Sequence, residues 1–127
     1  MTLSPRTEEI ATEIVDASFS VHSNLGPGLL ESVYEECLAY ELSERNLSFE
    51  RQLVMPINYK DQKIDTGLRL DFLVENKIVL EIKAVEALVS VHTSQVLTYM
   101  KLGGHRLGFL INFNVALIKN GIDRYVL

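Results

Sequence analysis

The stretch from Leu68 to Lys83 constrains the fold more than any other part of the chain. Leu68, Leu70, Phe72 and Val74 alternate with Arg69, Asp71 and Leu73, and Ile78, Leu80 and Ile82 alternate with Val79, Glu81 and Lys83. A period of two is that of a β-strand, whose successive side chains leave on opposite faces. Glu75-Asn76-Lys77 separates the two runs. A two-residue loop at Glu75-Asn76 would set Leu70 against Glu81 and Asp71 against Leu80. A three-residue loop pairs Val74 with Ile78, Phe72 with Leu80, Leu70 with Ile82 and Asp71 with Glu81. The longer loop matches every apolar residue with another, and Asn76 tolerates the left-handed backbone such loops need.

That register sets two carboxylates opposite each other, with Lys83 one step along. Two like charges roughly 4 Å apart repel by about 4 kcal/mol at the effective dielectric of a protein surface. Some positive charge must compensate. Lys83 and Arg69 can do so as an intra-sheet salt bridge. A hard divalent cation can do so equally well, because Mg²⁺ takes one or two carboxylates and completes its shell with water and phosphate oxygens. Such an ion polarises a phosphodiester and acidifies a bound water, which a half-buried lysine can orient or deprotonate. These residues by themselves leave both readings open.

The rest of the chain supplies the frame. Ser4-Pro5 reads as an N-cap and first helical proline, opening a helix whose Ile10, Ile14, Ala17 and Val21 share a face and which ends before "NLGPG". A second helix is expected from about Leu30 to Arg45, with Leu30, Val33, Tyr34, Cys37, Leu38 and Leu42 as its apolar stripe. Phe49 to Tyr59 alternates as a strand, at an edge or bulged because of Pro56. "KDQK" reads as a turn, followed by strands over Asp65–Val74 and Ile78–Lys83. A helix opens near Ser90 and stops at Gly103-Gly104, "HRLGFLINF" is a central strand, and Asn120-Gly121 signals a two-residue hairpin in the tail. The strand, helix, strand order around Ser90 requires a parallel crossover. The whole is an α/β chain: a mixed central sheet flanked by helices, with an N-terminal helix before it and a C-terminal hairpin after it.

The chain has 127 residues, enough for one domain with a core, so residues 1–127 are read as a single unit. No apolar run is long enough to span a bilayer and the acidic N-terminus is unlike a signal sequence, so no membrane association and a cytoplasmic location are expected. The lone Cys37 excludes an internal disulfide framework or multi-cysteine metal site and reads as helix-face filler. The net charge of −5 divides unevenly, −8 over residues 1–50 and +3 over residues 51–127. The second half can face an anion; the acidic half is simplest as two solvated amphipathic helices.

Asp71, followed by Glu81-Ile82-Lys83 at the end of the next strand, resembles the signature of the PD-(D/E)xK nuclease superfamily, whose core has the same order of elements. Gly28-Leu29-Leu30-Glu31-Ser32-Val33-Tyr34 resembles the pattern that names the GxxExxY family within it. The resemblance continues through "RLDFLVENKIVLEIKAVE" and "HTSQVLTYMKL" and covers nearly the whole chain. It implies a restriction-endonuclease-like core of the RecB-like type. It also implies Asp71 and Glu81 as ligands of Mg²⁺ or Mn²⁺, with the backbone carbonyl of Ile82 as a third and Glu31 as the added helix acid. Lys83 would be the catalytic lysine and Gln95 a residue that helps order the site. The proline that precedes the first acid in the superfamily is replaced by Leu70.

Each extra residue also has a plainer reading. Glu31 in a first helical turn is favoured by the helix dipole whatever its function. Gln95 is a polar residue on a helix flank, His22 a cap for the first helix, and Gly67 a bulge marker. Tyr34, Tyr99 and Phe113 fit the core better than a base-stacking platform. The expected function is metal-dependent hydrolysis of phosphodiester bonds in nucleic acid, DNA ahead of RNA, with homodimerisation as one way to gain the surface that a duplex needs. The rival is a non-catalytic nucleic-acid-binding or protein-interaction module that keeps the acids as a structural ion site or salt-bridge cluster. A thiol hydrolase built on Cys37 lacks any histidine brought near it by the sequence.

Overall fold

The computed structural model describes residues 2–127. Helix α1 (Pro5–Leu25) opens where the Ser4 Oγ accepts the Thr7 N–H at 3.1 Å, and Pro5 supplies a φ already suited to a helix. Ile10, Ile14, Ala17 and Val21 are all buried, as their spacing requires. The helix runs two residues into the expected breaker, through Asn24 and Leu25, before Gly26 ends it at a φ of 67°. In α2 (Glu31–Glu44) Tyr34, Leu38 and Leu42 face the core, but Leu30 and Val33 are exposed. Leu30 precedes the helix, and Val33 lies a hundred-degree step from the narrow arc that Tyr34, Leu38 and Leu42 define.

After these two helices come β1 (Phe49–Val54), β2 (Ile57–Tyr59), β3 (Gln62–Ile64), β4 (Arg69–Val74), β5 (Ile78–Lys83), then α3 (Ser90–Gly103), β6 (Leu107–Asn112) and β7 (Ile122–Val126). The main sheet has the order β1-β4-β5-β6-β7. Among the described residues its one parallel pair is β5–β6, the crossover through α3 that the sequence demanded, and β6 is buried along its whole length. The strand expected over Phe49–Tyr59 breaks at Met55-Pro56, because proline has no N–H to give the ladder. Beyond the break β2 and β3 form a separate hairpin whose turn is only Lys60-Asp61; Gln62 and Lys63, expected in the turn, are strand. Asp65–Leu68 is loop rather than strand, and Gly67, at a φ of 96°, lies in it rather than at a bulge. At the C-terminus β7 returns antiparallel onto β6, through a long connection that ends in a short 3-10 turn, Ile118–Asn120, instead of a two-residue Asn-Gly loop. Gly121 is needed there because a Cβ would lie 2.1 Å from the Asn112 carbonyl oxygen.

Each face of the sheet has its own core. Phe72, Val74, Ile78, Leu80, Ile82, Phe109 and Ile111 pack on α1 and α2; Leu73, Val79 and Leu110 pack on α3 through Val96, Tyr99 and Met100. Alternation therefore holds along β5 and most of β4. It fails at one place, for Leu70 packs with the α3 core although Phe72 and Val74 face the other way. The slip falls at Asp71.

Candidate active site

The β4–β5 hairpin has the three-residue loop, with Val74 opposite Ile78 and Phe72 opposite Leu80. The pairing ends there. Leu70–Ile82 and Asp71–Glu81, expected as the next pairs, are not part of the ladder. Side chains take over from it: the Asp71 N–H donates to Glu81 Oε1 at 3.2 Å, and the Ile82 N–H donates to Asp71 Oδ2 at 2.7 Å. Each acid thus binds the other strand's backbone, which satisfies amides that the separating strands would otherwise leave unpaired. The two carboxyl groups also lie within hydrogen-bonding reach of each other.

Burial and mutual repulsion set their protonation. Glu81 is 3% exposed, and desolvation followed by the charge of Asp71 pushes its pKa up to about 9. Asp71 is raised as well, by burial first, against the opposing pull of the Ile82 N–H. Without a cation the pair retains a proton at neutral pH. Half-buried Lys83 lowers the pKa of Asp71, Glu81 and Glu31 alike, so its charge reaches all three acids. Among the described residues neither Lys83 nor Arg69 makes an ion pair within 4.0 Å with an acid, so the intra-sheet salt bridge is not formed.

Glu31 stands exposed in the first turn of α2, and its pKa is raised by partial desolvation and then by Asp71. It senses the pair without joining it: among the described residues no three Asp, Glu, His or Cys side chains form a cluster that could hold a metal. Gln95, half-buried on α3, lies against the hydroxyl of Tyr99 one turn on, and that hydroxyl also meets the Arg69 backbone two residues before Asp71. The His22 imidazole does not cap α1, although its backbone carbonyl accepts the Gly26 N–H; its Nε2 meets the Val115 carbonyl at 2.7 Å. Cys37 lines a groove between α1 and α2 with Ser20, Asn24, Glu36, Tyr40 and Glu41, and no histidine is among the lining residues.

Three contributors were not anticipated. Gln52 sits opposite Asp71 in the β1–β4 register, with a φ of 50°, and its amide donates to Glu35 Oε1 at 2.6 Å and Asp71 Oδ1 at 3.3 Å. Glu35, one helical turn after Glu31, is in turn held by Arg51 at 2.7 Å. Extending the strand register to β1 would have found Gln52, and the i, i+4 spacing would have found Glu35. Asn112 is the third. Opposite Lys83 on β6, it accepts the Val85 N–H at 3.1 Å and donates to the Val85 carbonyl at 3.0 Å, clamping the chain as it leaves β5.

A mixed sheet carrying helices on both faces, with paired acids and a lysine where two central strands part, defines a restriction-endonuclease-like α/β fold. The chain belongs to the PD-(D/E)XK nuclease superfamily, whose family profile matches residues 8–125. Among solved structures it is similar to the crystal structure of SSO0001, with a TM-score of 0.52 and 23% identity, over 94% of this chain and 58% of that one. This chain therefore spans a little over half the length of that protein, and the likeness concerns the fold. No curated protein sequence matches it. Among the described residues no helix is long and apolar enough to cross a membrane.

Proposed function

We propose that this chain is a metal-dependent phosphodiesterase of nucleic acid, DNA ahead of RNA, within the GxxExxY group of its superfamily. The observation that carries the reading is the crossed pair of hydrogen bonds, from the Asp71 N–H to the Glu81 carboxyl and from the Ile82 N–H to the Asp71 carboxyl, beside Lys83, which makes no ion pair among the described residues. The donor set suits a small hard cation: two oxygen ligands, one of them deeply buried, with coordination positions left for water and phosphate. Asp71 and Glu81 would hold Mg²⁺ or Mn²⁺, with the Ile82 carbonyl as third protein ligand and Glu31 acting across a water. When bound, the ion polarises the phosphoryl oxygen and acidifies the attacking water.

The protein's own groups do the rest. Lys83 holds positive charge where the phosphorane would form and orients the water, and the Asn112 clamp on Val85 fixes the strand end from which it projects. Gln95 steadies Tyr99, and through it the backbone at Arg69. The remaining GxxExxY positions support Glu31. Gly28 takes a φ of 99° and gives its N–H to Asn114 Oδ1 at 3.1 Å. The Tyr34 hydroxyl donates to the Gly26 carbonyl at 2.6 Å and accepts the Leu29 N–H at 3.1 Å, fastening the loop that leads into α2.

Cleavage of plasmid and single-stranded DNA in Mn²⁺ by wild type and Lys83→Ala tests the reading. Wild-type cleavage that drops about a hundredfold or more in the variant is expected. Cleavage that persists in the variant comes from a contaminant, and metal binding without wild-type cleavage assigns the chain to the non-catalytic class.

A further inference from the structure

The β2–β3 hairpin belongs to no core. From Asn58 to Gly67 every residue is exposed, and neither strand joins the main sheet. A two-stranded ribbon of this size is marginal in water by itself, so it adds little to stability. Its base is firm: the Met55 N–H donates to the Leu68 carbonyl at 3.0 Å, one step beyond the Val54–Arg69 pair. Between that base and the ribbon lie Pro56 on one side and Asp65-Thr66-Gly67 on the other, and this uneven count interrupts the ladder, so the ribbon is a sheet of its own. At about 3.3 Å per residue it reaches roughly 15 Å to its tip. Lys60 and Asp61 form the tip, both at positive φ as a primed two-residue turn requires.

The position of this arm is informative. It joins the sheet at the C-terminal end of β1 and the N-terminal end of β4, the end at which Asp71, Glu81 and Lys83 lie. A cleft of about 460 Å³, lined by Val54, Asp65, Thr66, Gly67, Leu68 and Arg69, runs along its root.

The distribution of available positive charge points the same way. Arg6, Arg45, Arg51 and Arg124 are ion-paired to acids of the same chain, and Arg106 is bonded to the carbonyls of Leu127 and Thr2. Arg69, exposed at the root of the arm, makes no ion pair among the described residues. Among the described residues the lysines also form no ion pairs. Lys60 and Lys63 are on the arm and Lys83 and Lys119 are at the same end of the sheet, whereas Lys77 and Lys101 are at the far end. Asp61 and Asp65 share the arm, and Lys60 also rests over the Tyr59 ring at 5.4 Å. Asn58 and Lys63 pair across one face of the ribbon, and Ile57, Tyr59, Gln62 and Ile64 form the other.

We infer that the β2–β3 hairpin is a substrate-gripping arm that lays Lys60, Lys63 and Arg69 along the phosphates of duplex nucleic acid beside the Asp71–Glu81 centre. The inference rests on the nuclease reading for what the gripped strand leads to. A two-stranded ribbon fits the major groove of a duplex, and lysines on it neutralise phosphates whatever the sequence.

The test is binding of a fluorescein-labelled 20-base-pair DNA duplex, measured in Ca²⁺ against salt, for wild type, Lys60→Ala/Lys63→Ala and the far-end control Lys77→Ala/Lys101→Ala. The arm variant is expected to lose about tenfold or more in affinity at 0.1 M salt, with the slope of log K against log [salt] shallower by roughly 2. The control should match wild type. Equal losses in both variants, no loss in the arm variant, or no wild-type binding each overturn the inference. Hydrolysis of bis(p-nitrophenyl) phosphate in Mn²⁺, too small to reach the arm, is read on the same proteins. Lost duplex affinity without any hydrolysis leaves the arm standing and removes the nuclease reading; hydrolysis with unchanged duplex affinity does the reverse.

Discussion

Tyr34 lies flat on Phe113, the ring centroids 4.8 Å apart and the planes within 7°. Phe113 follows β6, and its N–H donates to the Lys83 carbonyl at 2.9 Å. The stack therefore ties the start of α2, with Glu31, to the strand end that carries Lys83. Tyr34→Phe keeps the stack but deprives the Gly26 carbonyl and the Leu29 N–H of their partner. It should cost about 1–3 kcal/mol in urea unfolding, whereas Tyr34→Ala should cost about 3–5 kcal/mol.

Stability without metal should fall as pH rises. Glu81 has a folded pKa of about 9 against an ordinary value of 4.5, so between those pH values the folded chain holds a proton that the unfolded chain has released. Glu81 alone contributes a slope of at most about 1.4 kcal/mol per pH unit, and Asp71, also raised, adds to it in the same direction. The stabilisation is complete below the unfolded pKa and is lost on approach to the folded one. Denaturation in EDTA across this range should show the decline, and Glu81→Gln should flatten it.

Metal binding should release protons. An ion at Asp71 and Glu81 must displace the proton the pair retains, so affinity for Mn²⁺ should strengthen with pH through the neutral range. Calorimetry in two buffers of different ionisation enthalpy measures the number released. A heat independent of buffer at neutral pH would contradict the protonated pair.

Gln52 carries local strain. Its φ of 50° is uncommon for a residue with a β-carbon, and it occurs opposite Asp71, where alternation along β4 slips. Gln52→Gly should therefore be more stable than Gln52→Ala by about 1 kcal/mol, and Gln52→Val should be the least stable of the three. Both Gln52→Gly and Gln52→Ala lose the amide's contacts with Glu35 and Asp71. If the site needs that contact, the two should lose activity equally despite their different stabilities.

The sequence showed the β4–β5 loop because only one register matched apolar with apolar, and it grouped Asp71, Glu81 and Lys83 because their parity is opposite to that of Phe72, Leu80 and Ile82. It showed α3 because Gly104 takes the left-handed cap at a φ of 71°. The break at Asp71 was hidden: Leu70 has the parity of Phe72, and nothing in the alternation says that a carboxylate will replace the ladder. Gln52 gave no warning because left-handed backbone is ordinarily announced by glycine. The gripping arm was hidden for a related reason, since Gln62-Lys63 is solvated on both faces and so carries no period.

The hydrogen bonds from the Asp71 and Ile82 amides to carboxylates, in place of ladder carbonyls, give the centre its own gauge. Deuterium replaces an amide hydrogen only when its hydrogen bond opens, and here the acceptors are the groups a cation would engage. Ladder amides such as those of Phe72 and Leu80 report the unfolding of the sheet. If the pair takes a cation, those of Asp71 and Ile82 would report its binding, so the exchange rates of the two sets, compared within one sample, would separate loading of the site from stability of the fold.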